Sequence, residues 1–295
     1  MTNPSAYTPS KANHKLTVTS SISQGARDYQ EDAFGHWFDT KNERLLAVVA
    51  DGAGGHGGGA EAAQAAIAAA SASWGKGETA ETEAEFLEKW MEDAHEAVNQ
   101  AAAKIHRSAR AVVVACLADG ETAHWVHAGD SRLLRFREGK LVERTRDDSV
   151  VQVLFERGEI TEEEMGTHPD QSRLLQSLGG DDVPTPHNGS ADLAQGDVLM
   201  LCSDGFWEHL KQDELEKLAA TPAIQRQQAL DKAVKIAVQR GGEKADNTTA
   251  IMIHFGDEVN EPKGIRWILL LLIAALAGCA AAWWIVRTDA DHSWL

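Results

Sequence analysis

The stretch LLAVVADGAGGH, residues 45–56, runs six apolar residues into an aspartate and then into a glycine-rich turn. Such a run, with no polar alternation, is the pattern of a strand covered on both faces, and Asp followed by glycines ends it sharply. The arrangement recurs: VHAGDSR at 126–132 and VLMLCSDG at 198–205 also end an apolar strand in an aspartate, and ADNTTAIMI at 245–253 reverses the order. Strands that share a core bring their ends to one rim, so Asp51, Asp130, Asp204 and Asp246 are expected to converge there with Glu31 and Asp32 from RDYQED at 27–32. One aspartate at a strand end usually caps a turn. Four in matching places point to a common use.

Outward from this stretch, strand patterns cover LTVTSSISQ at 16–24, AFGHWF at 33–38, RAVVVACLA at 110–118, TAHWVHA at 122–128, SRLLRFR at 131–137, DVLMLCS at 197–203 and TAIMIHF at 249–255. Helices are expected over AEAAQAAIAAASASW at 60–74 and over 82–107, where Phe86, Leu87, Trp90, Met91, Ala94, Val98 and Ala101 recur at helical spacing. Residues 149–180 read as short helices and loop, and two more helices are expected within 211–240. Runs of strands and runs of helices without strict alternation predict an α+β fold with mainly antiparallel sheets.

Lys and Arg number 28 against 45 Asp and Glu, a formal charge of −17, which argues against a nucleic-acid partner because phosphate backbones are held by cationic stripes. Hydrophobic residues make up 43% of the chain, and its length suits one large globular domain or two small ones. Cys116, Cys202 and Cys279 have neither metal-ligand spacing nor an even count, so they read as small hydrophobes in a reducing compartment. The N-terminal MTNPSAYTPSKANHK has no apolar stretch of the kind an export signal needs. Trp267–Val286, WILLLLIAALAGCAAAWWIV, is 20 residues without a charge. As a helix it would be about 30 Å long, the thickness of a bilayer core, with tryptophans at both ends. Its length favours a membrane span over a buried core helix, and Lys263 and Arg266 against Arg287 place the large N-terminal part in the cytoplasm. The expected organisation is a disordered leader at 1–14, a catalytic domain at 15–256, a linker at 257–264, a transmembrane helix at 265–287 and a short tail at 288–295.

Six converging carboxylates repel one another unless cations neutralise them. An all-oxygen donor set suits hard ions such as Mg2+ or Mn2+, and Gly52 and Gly205 leave room for a carbonyl or water beside them. The expectation at this level is a two-metal site that activates water toward a phosphate ester.

At these residues the sequence resembles the metal-dependent Ser/Thr protein phosphatases, the protein phosphatase 2C family, and in particular its bacterial branch. The resemblance runs from about residue 16 to 255 through RDYQED, DGAGGHGGGAEAA at 51–63, GDSR at 129–132, RDDSVVQVLFERGEITEEE at 146–164, HPDQSRLLQSLG at 168–179, LCSDGFWE at 201–208 and ADNTT at 245–249. It implies a central β-sandwich of two antiparallel sheets flanked by helix pairs. By position it makes Asp51 the bridge between two ions, Asp204 and Asp246 ligands of one, Glu31 and the Gly52 carbonyl ligands of the other, and Asp32 the holder of metal-bound waters. Asp130 and Asp204 match the site of a third, looser ion. Arg27 matches the phosphate-binding arginine, an assignment weighed against a structural ion pair, and Asn247 would orient the loop or a water. The segment from Ser149 to Gly180, with His168 and Arg173, matches a flap over the site.

The resemblance implies a catalytic set of Arg27, Asp51 and Asp204, with Arg27 and His168 contacting substrate, two or three Mn2+ or Mg2+ ions, and phosphorylated proteins as substrates, including those of a partner Ser/Thr kinase and the kinase itself. The chain departs from the family at Ala53, where eukaryotic members have a histidine that protonates the leaving group, which leaves His56, His168 or a metal-bound water for that role. It also departs at Gln30, where many members have Asn, and at SARAVVV, residues 108–114, in place of a Gly-Thr-Thr pattern. Cys202 is expected to pack beside the site without taking part. A weakly catalytic phosphoprotein-binding domain and a small-molecule phosphoesterase are the alternative functions. The expected location is the inner, cytoplasmic membrane, crossed once.

Overall fold

The computed structural model describes residues 16–41, 43–54, 58–76 and 82–256. In chain order its elements are β1 (Leu16–Ser23), β2 (Asp32–Asp39), β3 (Arg44–Ala53), α1 (Gly58–Lys76), α2 (Glu83–Ile105), β4 (Arg110–Ala118), β5 (Thr122–Ala128), β6 (Arg132–Arg137), β7 (Lys140–Arg144), α3 (Val150–Glu156), α4 (Glu162–Met165), β8 (His187–Asp192), β9 (Val198–Cys202), α5 (Asp204–Trp207), α6 (Gln212–Ala219), α7 (Arg226–Gly241) and β10 (Thr248–Phe255). They form two five-stranded sheets, ordered β1-β10-β9-β6-β7 and β2-β3-β4-β5-β8. Every strand pairing in both is antiparallel.

The apolar runs follow from what lies on each face of a strand. Successive side chains point to opposite faces, so Leu45, Ala47 and Val49 of β3 enter the core between the sheets while Leu46, Val48 and Ala50 meet α1 and α2. Leu199 and Leu201 of β9 likewise face the other sheet, and Val198, Met200 and Cys202 face α6 and α7. Central strands of a four-layer stack therefore have no wet face and show no alternation. The layering is the expected helix, sheet, sheet, helix order.

Helix α2 begins with a reciprocal cap, in which Glu85 N donates to Thr82 Oγ1 and Thr82 N donates to Glu85 Oε2, each at 3.2 Å. Its apolar stripe is buried as the spacing predicts, from Phe86 through Val98, and His95 joins it. The expected helix at 60–74 extends over Gly58–Lys76, and the segment 149–180 holds α3 and α4.

Three elements are additional to the sequence reading. β7 and β8 are edge strands, and β8, HNGSAD, alternates half-buried and exposed residues with no apolar run to reveal it. Gly189 is required there because a Cβ would come within 2.3 Å of the Trp125 indole lying across it. α5 is a single turn that carries Asp204 off the end of β9. No helix among the described residues is long and apolar enough to cross a membrane. The expected span at 265–287, the leader, the linker, the tail and His56 lie outside the described residues.

Candidate active site

The rim forms where the two sheets open at one end. Asp32 and Asp51 stand directly opposite each other on β2 and β3. Beyond Asp51, Gly52 N donates to Glu31 O at 3.0 Å. A Cβ on Gly52 would lie 1.9 Å from Gly59 O and 2.8 Å from Glu31 O, so only glycine lets these three backbone segments meet. Gly59, in the first turn of α1, donates its N–H to Glu31 Oε1 at 3.2 Å, placing a carboxylate against the positive end of a helix.

From the other sheet, Asp204 opens α5 and accepts from Gly205 N at 2.6 Å. Asp246 sits just before β10, with Oδ1 accepting from Asn247 N at 2.8 Å and Oδ2 paired with Arg27. Asn247 ties the loops together: its Oδ1 accepts from Glu31 N at 2.7 Å, and its Nδ2 donates to Gln24 O at 2.8 Å and Tyr29 O at 3.0 Å. These three bonds fix the loop from Gln24 to Glu31 against the start of β10. Gln30 also has work to do, accepting from Asp32 N at 2.9 Å.

These residues line a cleft of about 410 Å³ that includes Arg27, Glu31, Asp51, Gly52, Asp130, Asp204 and Asp246. Asp32 lies just beneath. Its Oδ2 accepts from Ser203 Oγ at 2.8 Å and from Thr249 Oγ1 at 2.7 Å, while its Oδ1 is buried without a hydrogen-bond partner. Burial, opposed in part by those two hydroxyls and assisted by Asp204 and Asp246, pushes the Asp32 carboxyl up to about 7. Burial and then Asp246 raise Asp204 to about 6. Asp51 and Asp130 are held well above the carboxylate range, first by burial and then by neighbouring aspartates.

A seventh acid belongs to this field. Glu208, one turn after Asp204, is raised to about 9 by burial and by Asp204, Asp130 and Asp246. It stands in LCSDGFWE, but nothing in its sequence neighbours marks it as belonging to the field of the rim acids. Tyr29, Ser172 and Leu174 also line the cleft and were not read from the sequence. His168 is not among the lining residues, and its Nδ1 accepts from Asp170 N at 3.1 Å. Ala53 does line the cleft. Cys202 is fully buried on the helix side of its sheet, and burial pushes its thiol up to about 12.

Behind the rim, Arg132 makes a bidentate bond to Asp147 at 2.9 and 2.7 Å and lies 3.3 Å over the Trp207 ring. Trp207 Nε1 in turn donates to Asp130 O at 3.0 Å, so the ion pair steadies the backbone of Asp130. The segment carrying α3 and α4 closes at its base, where Val150 N donates to Arg173 O at 2.9 Å and Leu175 N to Asp148 O at 2.7 Å.

The donor set fits hard divalent cations. All rim donors are oxygens, the carboxylates raise one another's pKa, and the orphaned Asp32 Oδ1 is an acceptor placed for an ordered water. Among the described residues no three acidic, His or Cys side chains make a ready ligand cluster. Mg2+ and Mn2+ do not require one, since they commonly keep several waters.

The family model that matches the chain is Protein phosphatase 2C, over residues 19–236. The serine/threonine phosphatase stp of Listeria monocytogenes is 29% identical over 234 residues, spanning 77% of this chain and 90% of that protein. The solved Streptococcus agalactiae serine/threonine phosphatase superposes with a TM-score of 0.70 at 26% identity, covering 81% of this chain and 99% of that one. The catalytic domain of the serine/threonine protein phosphatase PstP, solved in complex with two manganese ions, also gives 0.70 at 26% identity, covering 82% and 99%.

Proposed function

The chain belongs to the protein phosphatase 2C family, and on that premise we propose that it is a metal-dependent protein phosphatase hydrolysing phosphoserine and phosphothreonine. The observation that carries this reading is the convergence of Glu31, Asp51, Asp130, Asp204 and Asp246 in one cleft with Arg27 beside them. Asp51, Asp204, Asp246, Glu31 and the Gly52 carbonyl would hold two ions, and Asp130 with Asp204 would hold a third. When bound, Mn2+ or Mg2+ supplies an acidified water and positive charge for the phosphoryl oxygens.

The chain's own groups do the rest. Asp32, buried and anchored by two hydroxyls, keeps its other oxygen without a hydrogen-bond partner beneath the cleft. Arg27, whose side chain is 54% exposed, can swing its guanidinium fork from Asp246 to two phosphate oxygens. The described cysteines, Cys116 and Cys202, are buried and protonated, so a cysteinyl-phosphate route has no nucleophile among the described residues.

The full chain with Mn2+ is expected to hydrolyse p-nitrophenyl phosphate and phosphoserine or phosphothreonine peptides, and to stop in excess EDTA. Full activity in EDTA or in Asp204→Asn would remove the metal-dependent reading, and a preference for nucleotides or sugar phosphates would replace the protein substrate. The phosphoproteins are proposed to be those of a Ser/Thr kinase, and the kinase itself. The uncharged run Trp267–Val286 supports a single C-terminal membrane anchor at 265–287, and the flanking basic residues support a cytoplasmic catalytic domain at the inner membrane. Fractionation decides this: the full chain should pellet with membranes and a chain ending at residue 264 should not.

A further inference from the structure

A groove of about 420 Å³ lies beside the catalytic cleft and shares Ala53, Val112 and Leu174 with it. The rest of its lining comes from the start of β4 and from residues 175–184. Leu175 and Val183, which line it, are 55% and 64% exposed, so two apolar side chains face water next to the site of reaction, among the polar Arg110, Gln176, Ser177 and Asp182.

The walls are held in place. Ala111 and Leu178 exchange backbone hydrogen bonds at 3.2 and 2.8 Å, and Leu178 is fully buried. The following turn, with Gly179 and Gly180 at φ of 87° and 81°, is fastened to α2: Gly179 N donates to His95 Nδ1 at 3.1 Å, Gly180 N to Asn99 Oδ1 at 2.7 Å, and Asn99 Nδ2 to Gly180 O at 3.0 Å. Among the described residues Arg110 donates from Nη1 alone, to Gly179 O at 3.1 Å and Ser177 Oγ at 3.4 Å, so its guanidinium has further N–H donors at the groove.

We propose that this groove is a substrate-flank subsite: it receives residues adjoining the phosphoserine or phosphothreonine, seating an apolar side chain on Leu175 and Val183 while Arg110 donates to a backbone carbonyl. A peptide whose phosphate occupies the cleft can continue over the shared Ala53, Val112 and Leu174 without leaving the surface, and this continuity selects the substrate itself as occupant. The inference rests on the phosphatase reading, so its test separates the two. The full chain, and the variant Leu175→Ser with Val183→Ser, are assayed with Mn2+ on p-nitrophenyl phosphate, which is too small to reach the groove, and on phosphopeptides with Leu or Ser at each flanking position.

The parent is expected to prefer Leu over Ser at one flank by roughly tenfold in kcat/KM, the scale of a small apolar pocket. The variant should lose that preference with its p-nitrophenyl phosphate rate unchanged. Equal rates for Leu and Ser peptides in the parent, or a preference that survives in the variant, overturn the subsite and leave the phosphatase standing. A parent inactive on every phosphate ester overturns both.

Discussion

The catalytic cleft and the groove beside it share three residues yet are built on opposite terms. The cleft gathers acids at the ends of β2, β3 and β9 and in the turns beside α5 and β10, where burial and mutual repulsion push their pKa values upward. The groove is walled by loop 175–184 and exposes leucine and valine. Costly charge is placed where two packed sheets can hold it rigidly, and apolar contact where a loop can change without disturbing the core. Chemistry and selectivity should therefore separate under mutation.

The hardest test of that separation is Asp51→Asn, which should lower kcat by roughly 10³-fold on p-nitrophenyl phosphate and peptides alike. An equal fall in the groove variant would erase the distinction. Next, Arg132→Ala leaves Asp147, 1% exposed, as an uncompensated buried charge. It should cost about 3–5 kcal/mol in denaturant unfolding, while Leu175→Ser, at an exposed position, should cost under about 0.5 kcal/mol. Arg27→Ala should reduce kcat/KM by about 10–100-fold, mostly through KM, on every substrate; a loss confined to Leu-flanked peptides would instead assign Arg27 to selectivity.

The smallest effect is a pH dependence of the metal-free protein. Asp32 and Asp204 rise from 3.8 in the unfolded chain to about 7 and about 6 in the folded one. Between these limits the folded state binds more protons, so these two groups stabilise it most below about pH 4, their contribution falls as pH rises through the folded values and is gone above about pH 7, and Glu208, raised to about 9, extends the decline toward pH 9. Thermal melts in EDTA should show that decline, and saturating Mn2+ should reverse its sign because the ion binds the deprotonated acids. Identical slopes with and without Mn2+ would detach the raised carboxylates from the metal.

How legible this was in the sequence depended on burial. β3, β4, β9 and β10 are covered on both faces, so their apolar runs stood out, and the acids bounding β3, β9 and β10, with Asp130 after β5, marked the rim. β8 has a single half-covered face and reads as HNGSAD, a pattern also common in loops. The metal-binding assignments came from the family's pattern, but convergence itself came from strand ends sharing a core. Glu208 escaped because its approach depends on how one short turn leaves β9. The groove escaped because Arg110 is far in sequence from Leu175 and Val183 and meets their loop only through the Ala111–Leu178 bridge.

Asp32 belongs to one sheet and its two hydroxyl partners, Ser203 and Thr249, are supplied by the other. The buried carboxylate therefore works as a mechanical gauge across the seam of the sandwich. Any sliding of one sheet over the other must first stretch those two bonds, and it would alter the gap between Asp51 and Asp204 in the same motion. Resistance to shear in the core and the spacing of the catalytic acids are thus one property of this molecule, and loosening the core should detune the reaction before it unfolds the chain.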